Sequence, residues 1–336
     1  MGILKILFIS GGMVMGYKVL ICDAVAKKGI NYLKEKGFEC DELLGKTEDE
    51  ITAIAGGYDA IIVRSATKIT PKILKAAVPR LKIVGRAGVG YDNINVDAAS
   101  ENGVIVMNSP FGTTVSVAEL ALTMTLAVSR KIHSADAKMK QKVWDKKSFM
   151  GRELNGKTAG IIGAGRIGIE TAKRFKAFGM KILCCDPYAK AEVMSSHGFE
   201  LVSFEKLVAE SDVISLHIPK TKESAGMLNK DVFNKMKDGV ILVNCARGGI
   251  INEADLLEVL KSNPKKFFGV ALDVFESEPP VNWELINHEL VCATPHIGAS
   301  TKEGQELCAS QICEQIVAYF TENKVINGVN TDKLKK

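Results

Sequence analysis

His296 stands between Thr294-Pro295 and Ile297-Gly298, a turn that displays an imidazole beyond a short apolar run. A histidine so placed suits taking and returning a proton near neutral pH. Arg247 leaves another apolar run (240–245, VILVNC) and is followed by Gly248 and Gly249. A guanidinium with small neighbours giving it room can hold a carboxylate through two parallel hydrogen bonds. A surface ion pair is the plainer use of the same residue. Glu276 and Glu278 share a third exit, LDVFESEPP (272–280). Either could bond the second nitrogen of His296 and raise its pKa, and spacing does not choose between them. A base, its carboxylate partner and a carboxylate-holding cation are what hydride loss from a hydroxy acid requires.

The other histidines are weaker candidates. His133 and His197 lie in charge-rich helical or turn contexts and are expected at the surface, and His288 sits in a polar loop. His217 ends the run VISLH (213–217). A satisfied structural histidine is the first reading, with a place lining a nucleotide crevice as the other.

Hydride chemistry needs an acceptor, and TAGIIGAGRIG (158–168) names one. Gly163, Gly165 and Gly168 form G-x-G-x-x-G between an apolar strand and a helix over 166–178, whose Ile167, Thr171, Phe175 and Phe178 recur at helical spacing. Gly163 permits the turn, Gly165 lets a pyrophosphate approach, and Gly168 lets the helix pack close. The helix N-terminus offers free N–H groups to phosphates. A second strand, KILCC (181–185), ends at Asp186, where an acid can hold ribose hydroxyls and repel a 2′-phosphate. NAD is therefore expected over NADP.

Two further loops could meet an anion. VGRAGVGYD (84–92) follows a strand, and its backbone N–H groups could form a nest for a carboxylate, or simply make a tight connection. IIVRSAT (61–67) sets Arg64 and Ser65 at a strand exit, where they suit a phosphate.

The elements that must position these residues form two α/β units. In the first, strands near 18–22, 38–43, 59–63, 81–85 and 104–107 alternate with helices such as 24–36 and 71–77. The second opens with an apolar helix over 115–130 and has strands near 158–162, 181–185, 212–216, 239–243, 267–271 and 290–293. Such alternation predicts parallel, doubly wound sheets. The helical tail at 301–321 can return to the first unit, which makes that domain discontinuous. The expected division is an extension at 1–16, a substrate-binding domain of 17–110 with 300–330, and an inserted nucleotide domain of 111–299. The active site is then expected in the cleft between them.

Composition is that of a globular chain: 336 residues, 46% hydrophobic, 25% charged and a net charge of +5 with no basic arm. Neither nucleic acid nor membrane is an expected partner. Met1–Gly16 is too short to span a bilayer and makes a poor signal peptide. Eight cysteines lack C-x-x-C spacing and no N-x-[ST] sequon occurs, so free thiols in a cytoplasmic chain, with no metal, are expected.

These segments together resemble the D-2-hydroxyacid dehydrogenase family, over about residues 17 to 330. The resemblance rests on VRSATK (63–68), VGRAGVGYDNI (84–94), SVAELAL (116–122), ELNGKTAGIIGAGRIG (153–168), NCARGGI (244–250), ALDVFESEPP (271–280) and TPHIGAST (294–301). VRSATK, GRAGVGYDN and NCARGG are most similar to the family's phosphoglycerate dehydrogenases. The resemblance implies a Rossmann-like and a flavodoxin-like domain. It implies that Arg247 binds substrate, that His296 is the acid–base group, and that Glu278, not the variable Glu276, is its partner. For NAD it implies Arg166 and Ile167 beside the glycines, Asp186, His217 and Ile218, Cys245, Ala246 and Arg247, Asp273, and His296, Ile297, Gly298 and Ala299. For a phosphorylated 2-hydroxy acid it implies Arg64, Ser65 and Gly88, with Val89 touching both ligands.

The implied reaction is NAD-dependent oxidation of 3-phosphoglycerate to 3-phosphohydroxypyruvate in serine biosynthesis. The alternatives are a glyoxylate or hydroxypyruvate reductase, or a non-catalytic NAD-sensing corepressor. Family members pair through the nucleotide domain, so a homodimer or homotetramer is expected, with helix 115–130, Trp144 and Phe149 either at the contact or in the core. Lys146 and Lys147 could reach a neighbour's phosphate site. Thr113 replaces the family's usual asparagine, while Asn95 and Asn252 replace aspartates that asparagine can match as caps. Only a short tail follows residue 330, so feedback by serine through a further regulatory domain is not expected.

Overall fold

The computed structural model describes residues 16–334, and the backbone of a short antiparallel pair, Phe8–Ile9 with Gly12–Met13. The extension expected at 1–16 otherwise lies outside the described residues. The chain parts into two compact units, one holding residues up to Thr113 together with Ala299 onward, the other Thr114–Gly298. The junctions fall three residues later and one residue earlier than the boundaries expected from sequence, which puts Ala299 in the first unit.

The second unit is built on a seven-stranded parallel sheet. Its order is Glu200–Leu201, Lys181–Cys185, Thr158–Ile162, Val213–Leu216, Val240–Asn244, Phe267–Leu272 and Val291–Ala293. Chain order reverses between Thr158–Ile162 and Val213–Leu216, and that switch point opens a crevice at the strands' carboxyl ends. Every residue of Val240–Asn244 is buried, because a parallel strand is covered on both faces. Ile214, Leu216 and Leu242 enter the core on one side, and Val213, Ile241 and Val243 the core on the other. The helix Thr114–Ser129 packs into this second core through Val117, Ala121, Met124 and Val128. Much of the apolar helix expected at 115–130 is therefore core, while Trp144 beyond it is 82% exposed.

The first unit repeats the plan with five parallel strands, in the order Glu39–Glu42, Lys18–Ile21, Ala60–Val63, Ile83–Arg86 and Ile105–Asn108. Leu20, Ile61 and Val63 face one core, and Val19, Ile21 and Ile62 the other. The helix Lys302–Glu322 closes that second core with Cys308, Ile312 and Ile316. It sits so close that a Cβ on Gly29 would come within 2.7 Å of the Ala309 carbonyl oxygen. Several short elements were not expected from the sequence, two of them instructive. Glu200–Leu201 is a two-residue edge strand, and Glu48–Ile54 is a helix opened by a Thr47–Glu50 capping box. No described helix is long and apolar enough to cross a membrane.

Candidate active site

The glycine loop meets three separate constraints. Gly163 has φ of +95°, and a Cβ there would lie 2.5 Å from the His217 carbonyl oxygen. Gly165 faces open space, where a phosphate can approach the backbone. At Gly168 a Cβ would strike the Gly163 carbonyl, so helix and loop touch only because it is absent. The helix Arg166–Ala177 has no side-chain N-cap and no acid in its first turn, leaving its positive end for a ligand's charge. Asp186 closes the loop, accepting bonds from the Ala164 and Tyr188 N–H groups, each at 2.8 Å. These features fit a dinucleotide with ribose hydroxyls beside the carboxylate. His217 and Ile218 press against Gly163, so both border the loop. The His217 ring has Nε2 2.9 Å from Ser215 Oγ, and burial drives its pKa down to about 3, so it is neutral at physiological pH.

Across the same unit, His296 and Glu278 meet. Nδ1 of His296 lies 2.6 Å from Oε2 of Glu278. A carboxylate only accepts, so Nδ1 carries the proton and Nε2 is left for a substrate. His296 adopts φ of +52°, and its turn is held by Asp273. The Asp273 carboxylate accepts from Thr294 Oγ1 at 2.6 Å and from the Ile297 and Gly298 N–H groups, each at 2.8 Å. Asp273 is fully buried, and burial raises its pKa against those bonds. It acts through the turn that it holds, with its own carboxylate buried. Cys245 likewise turns its thiol inward onto the Met124 sulfur, at 3.7 Å.

The two glutamates have separate tasks. Glu276 Oε1 accepts from the Glu253 N–H at 2.9 Å, while Glu253 Oε1 accepts from the Glu276 N–H at 2.6 Å. Glu276 is thus tied to the helix Glu253–Ser262, whose cap is Asn252. Gly248 does more than make room for Arg247. A Cβ there would collide with the Phe275 carbonyl, so the arginine loop lies directly on the glutamate loop. Asn244, buried beneath, donates Nδ2–H to the Arg247 carbonyl at 2.9 Å and accepts from the Ala246 N–H at 3.0 Å. The Arg247 guanidinium donates to the Ala246 carbonyl at 2.7 Å, and its charge acts on both Glu278 and His296.

Electrostatics follow from this packing. The hydrogen bond to Glu278 lifts His296 above its ordinary 6.5, against burial and the Arg247 charge. For Glu278 burial pushes upward, but the bond and charge of His296, the Phe275 N–H and Arg247 outweigh it and bring the carboxyl below 4.5. The raised His296 contributes stability fully below its unfolded pKa and loses it as pH rises through the native value. The lowered Glu278 contributes above its unfolded pKa and loses it as pH falls through the native one. The pair is therefore intact between a point below 4.5 and one above 6.5. With side chains 42% and 38% exposed, solvent screens what it adds to stability. Glu278→Gln should lower the His296 pKa, read by NMR titration of its ring protons. A value that stays or rises would show that the bond is not what raises it.

In the first unit, Arg64 and Ser65 leave strand Ala60–Val63 beside Arg86, which ends the neighbouring strand and pairs with Val63. Burial pushes the Cys308 thiol up to about 11, while the Arg86 and Arg64 charges both act to lower it. Arg86 escaped the sequence reading, although the end of a parallel strand is where it could have been sought. The nest expected in 84–92 is partly spent. The Ala87 and Gly88 N–H groups already donate to the Val63 and Arg86 carbonyls, and Asn108 holds the Val89 carbonyl at 2.6 Å. Thr113 is buried, and Asn95 caps the helix Val96–Glu101. His133 departs from the surface position expected of it. Its ring is half-buried beside the Ala127 and Glu289 backbones, and burial holds its pKa below 6.5.

A dinucleotide loop at a switch point, with a histidine–glutamate pair and an arginine in the same sheet unit, defines a nucleotide-dependent oxidoreductase unit. Residues 122–298 match the family described as D-isomer specific 2-hydroxyacid dehydrogenase, NAD binding domain, and the chain belongs to that family. NAD is accordingly the cofactor, and the matched residues include the glycine loop. Among its relatives is the D-3-phosphoglycerate dehydrogenase of Archaeoglobus fulgidus, 45% identical over 95% of this chain and 60% of that protein. The chain thus spans about 60% of the length of that relative. Among solved structures, a glyoxylate reductase from Paecilomyes thermophila superposes with a TM-score of 0.86 at 29% identity, covering 94% of this chain and 99% of that one. A D-lactate dehydrogenase from Aquifex aeolicus, complexed with NAD and lactic acid, gives 0.79 at 30% identity, covering 94% and 97%.

Proposed function

We propose that the chain oxidises 3-phosphoglycerate to 3-phosphohydroxypyruvate with NAD, an entry step to serine synthesis, in the cytoplasm. The observation that carries the chemistry is the 2.6 Å bond between His296 and Glu278 beside Arg247. Arg247 grips the C1 carboxylate and the C2 oxygen, which fixes the substrate and favours charge on that oxygen. His296 Nε2 takes the C2 hydroxyl proton, and Glu278 stabilises the imidazolium so formed. NAD supplies the hydride acceptor. In the reverse direction His296 returns the proton.

The substrate class rests on Arg64, Ser65 and Arg86, a cationic end of the first sheet suited to a phosphate. The high identity to D-3-phosphoglycerate dehydrogenases supports the same reading. Glyoxylate and hydroxypyruvate lack that phosphate, so Arg64 separates the readings. Arg64→Gln should lower kcat/KM for the phosphorylated acid by about 10²-fold, the scale of a lost charge-assisted contact, and affect unphosphorylated acids far less. Equal loss on both would remove the phosphate assignment. The chain is further proposed to work as a homodimer or homotetramer, with the exposed Trp144 region as contact. A monomeric elution profile would contradict that.

A further inference from the structure

The loop that carries Arg64 is held from both sides by Asp23, outside any motif named above, and by Asn93, to which no role has yet been given. Asp23 follows strand Lys18–Ile21 and is almost entirely buried. Its Oδ2 accepts from the Arg64 N–H at 2.6 Å and from the Thr67 N–H at 3.2 Å, and its Oδ1 accepts from Thr67 Oγ1 at 2.7 Å. Asn93 works from the other direction. Its Nδ2 donates to the Arg64 carbonyl at 2.7 Å and to the Thr67 carbonyl at 2.6 Å. Four backbone groups of one four-residue turn are thereby spoken for by two side chains.

The consequence is chemical as well as mechanical. Successive N–H groups in such a turn are a natural cradle for an anion. Here a carboxylate of the chain already fills that role. A phosphate meeting this loop would find the Arg64 and Thr67 N–H groups already taken, and would meet the exposed Ser65 and the half-buried Arg64, whose Nη1 donates to the Ala24 carbonyl at 3.2 Å. Burying an unpaired carboxylate would be costly, so Asp23 and the turn require each other.

We infer that Asp23 and Asn93 are positioning residues that set selectivity for a phosphorylated substrate, by fixing the turn that presents Arg64 and Ser65. This rests on the proposed use of a phosphorylated 2-hydroxy acid. The test pairs Asp23→Asn, which removes one acceptor, with Asn93→Ala, which spares the buried carboxylate. Each is assayed with 3-phosphoglycerate and with an unphosphorylated 2-hydroxy acid, and by amide hydrogen exchange over 63–68. The expected result is lost protection at Arg64 and Thr67. The KM for 3-phosphoglycerate should rise about tenfold with a much smaller change in kcat, the scale of one hydrogen bond's positioning, so that selectivity falls. Unaltered exchange would overturn the clasp itself. Faster exchange with equal losses on both substrates would overturn its part in selectivity. A wild-type chain with no preference for the phosphorylated acid would instead overturn the substrate reading, a result the variants' exchange does not share.

Discussion

His296→Asn is expected to retain NAD binding and to lose about 10²–10⁴-fold in kcat, the range of general acid–base catalysis. Asparagine is the informative substitution. His296 sits at φ of +52°, a left-handed conformation that asparagine tolerates and most residues do not. The turn should therefore survive, held by Asp273 through Thr294, Ile297 and Gly298. Alanine would add backbone strain and blur a chemical loss with a structural one. The NAD dissociation constant, from tryptophan fluorescence or calorimetry, supplies the control. Near-normal turnover in this variant would sink the assignment of His296 as base.

Arg247→Lys should be nearly as damaging, with kcat/KM down about 10²-fold or more, although it keeps the charge. A lysine ammonium has no planar fork to hold a carboxylate and an adjacent oxygen together. The loop should still form, because Asn244 holds its backbone and Gly248 lies against Phe275 regardless of the side chain at 247. Arg247→Gln separates geometry from charge. Arg247 pulls His296 down and helps to bring Glu278 down, so losing the cation should raise both pKa values. The rise of oxidation rate with pH would move to higher pH in the glutamine variant and change little in the lysine variant. Both variants behaving alike across pH would mean that the charge is not felt at His296.

The glycine loop was legible in the sequence because its constraints are local. A turn, an approach and a close packing contact are written within six residues, and Asp186 follows at the next strand's end. The doubly wound sheets were legible because continuous apolar runs such as 240–243 have no other comfortable place. What the sequence left open depended on distant partners. Glu276 and Glu278 are two residues apart on one loop, and the first is claimed by the backbone at Glu253, which no spacing rule reveals. The resemblance chose Glu278, and the 2.6 Å bond supplies the physical reason. Asp23 was invisible for the same cause, since its donors lie 41 and 44 residues along the chain. His133 was misplaced because a charge-rich helix suggests the surface, whereas its ring turns toward the Ala127 and Glu289 backbones. Gly248 was read as space for a side chain, and it is a contact between two loops.

The most direct test of the whole account is reduction of NAD by the purified chain with D-3-phosphoglycerate, followed as NADH formation. The expected result is turnover that depends on the phosphorylated acid and exceeds that with unphosphorylated 2-hydroxy acids. Substantial NADH oxidation with glyoxylate or hydroxypyruvate, and none formed from 3-phosphoglycerate, would contradict it.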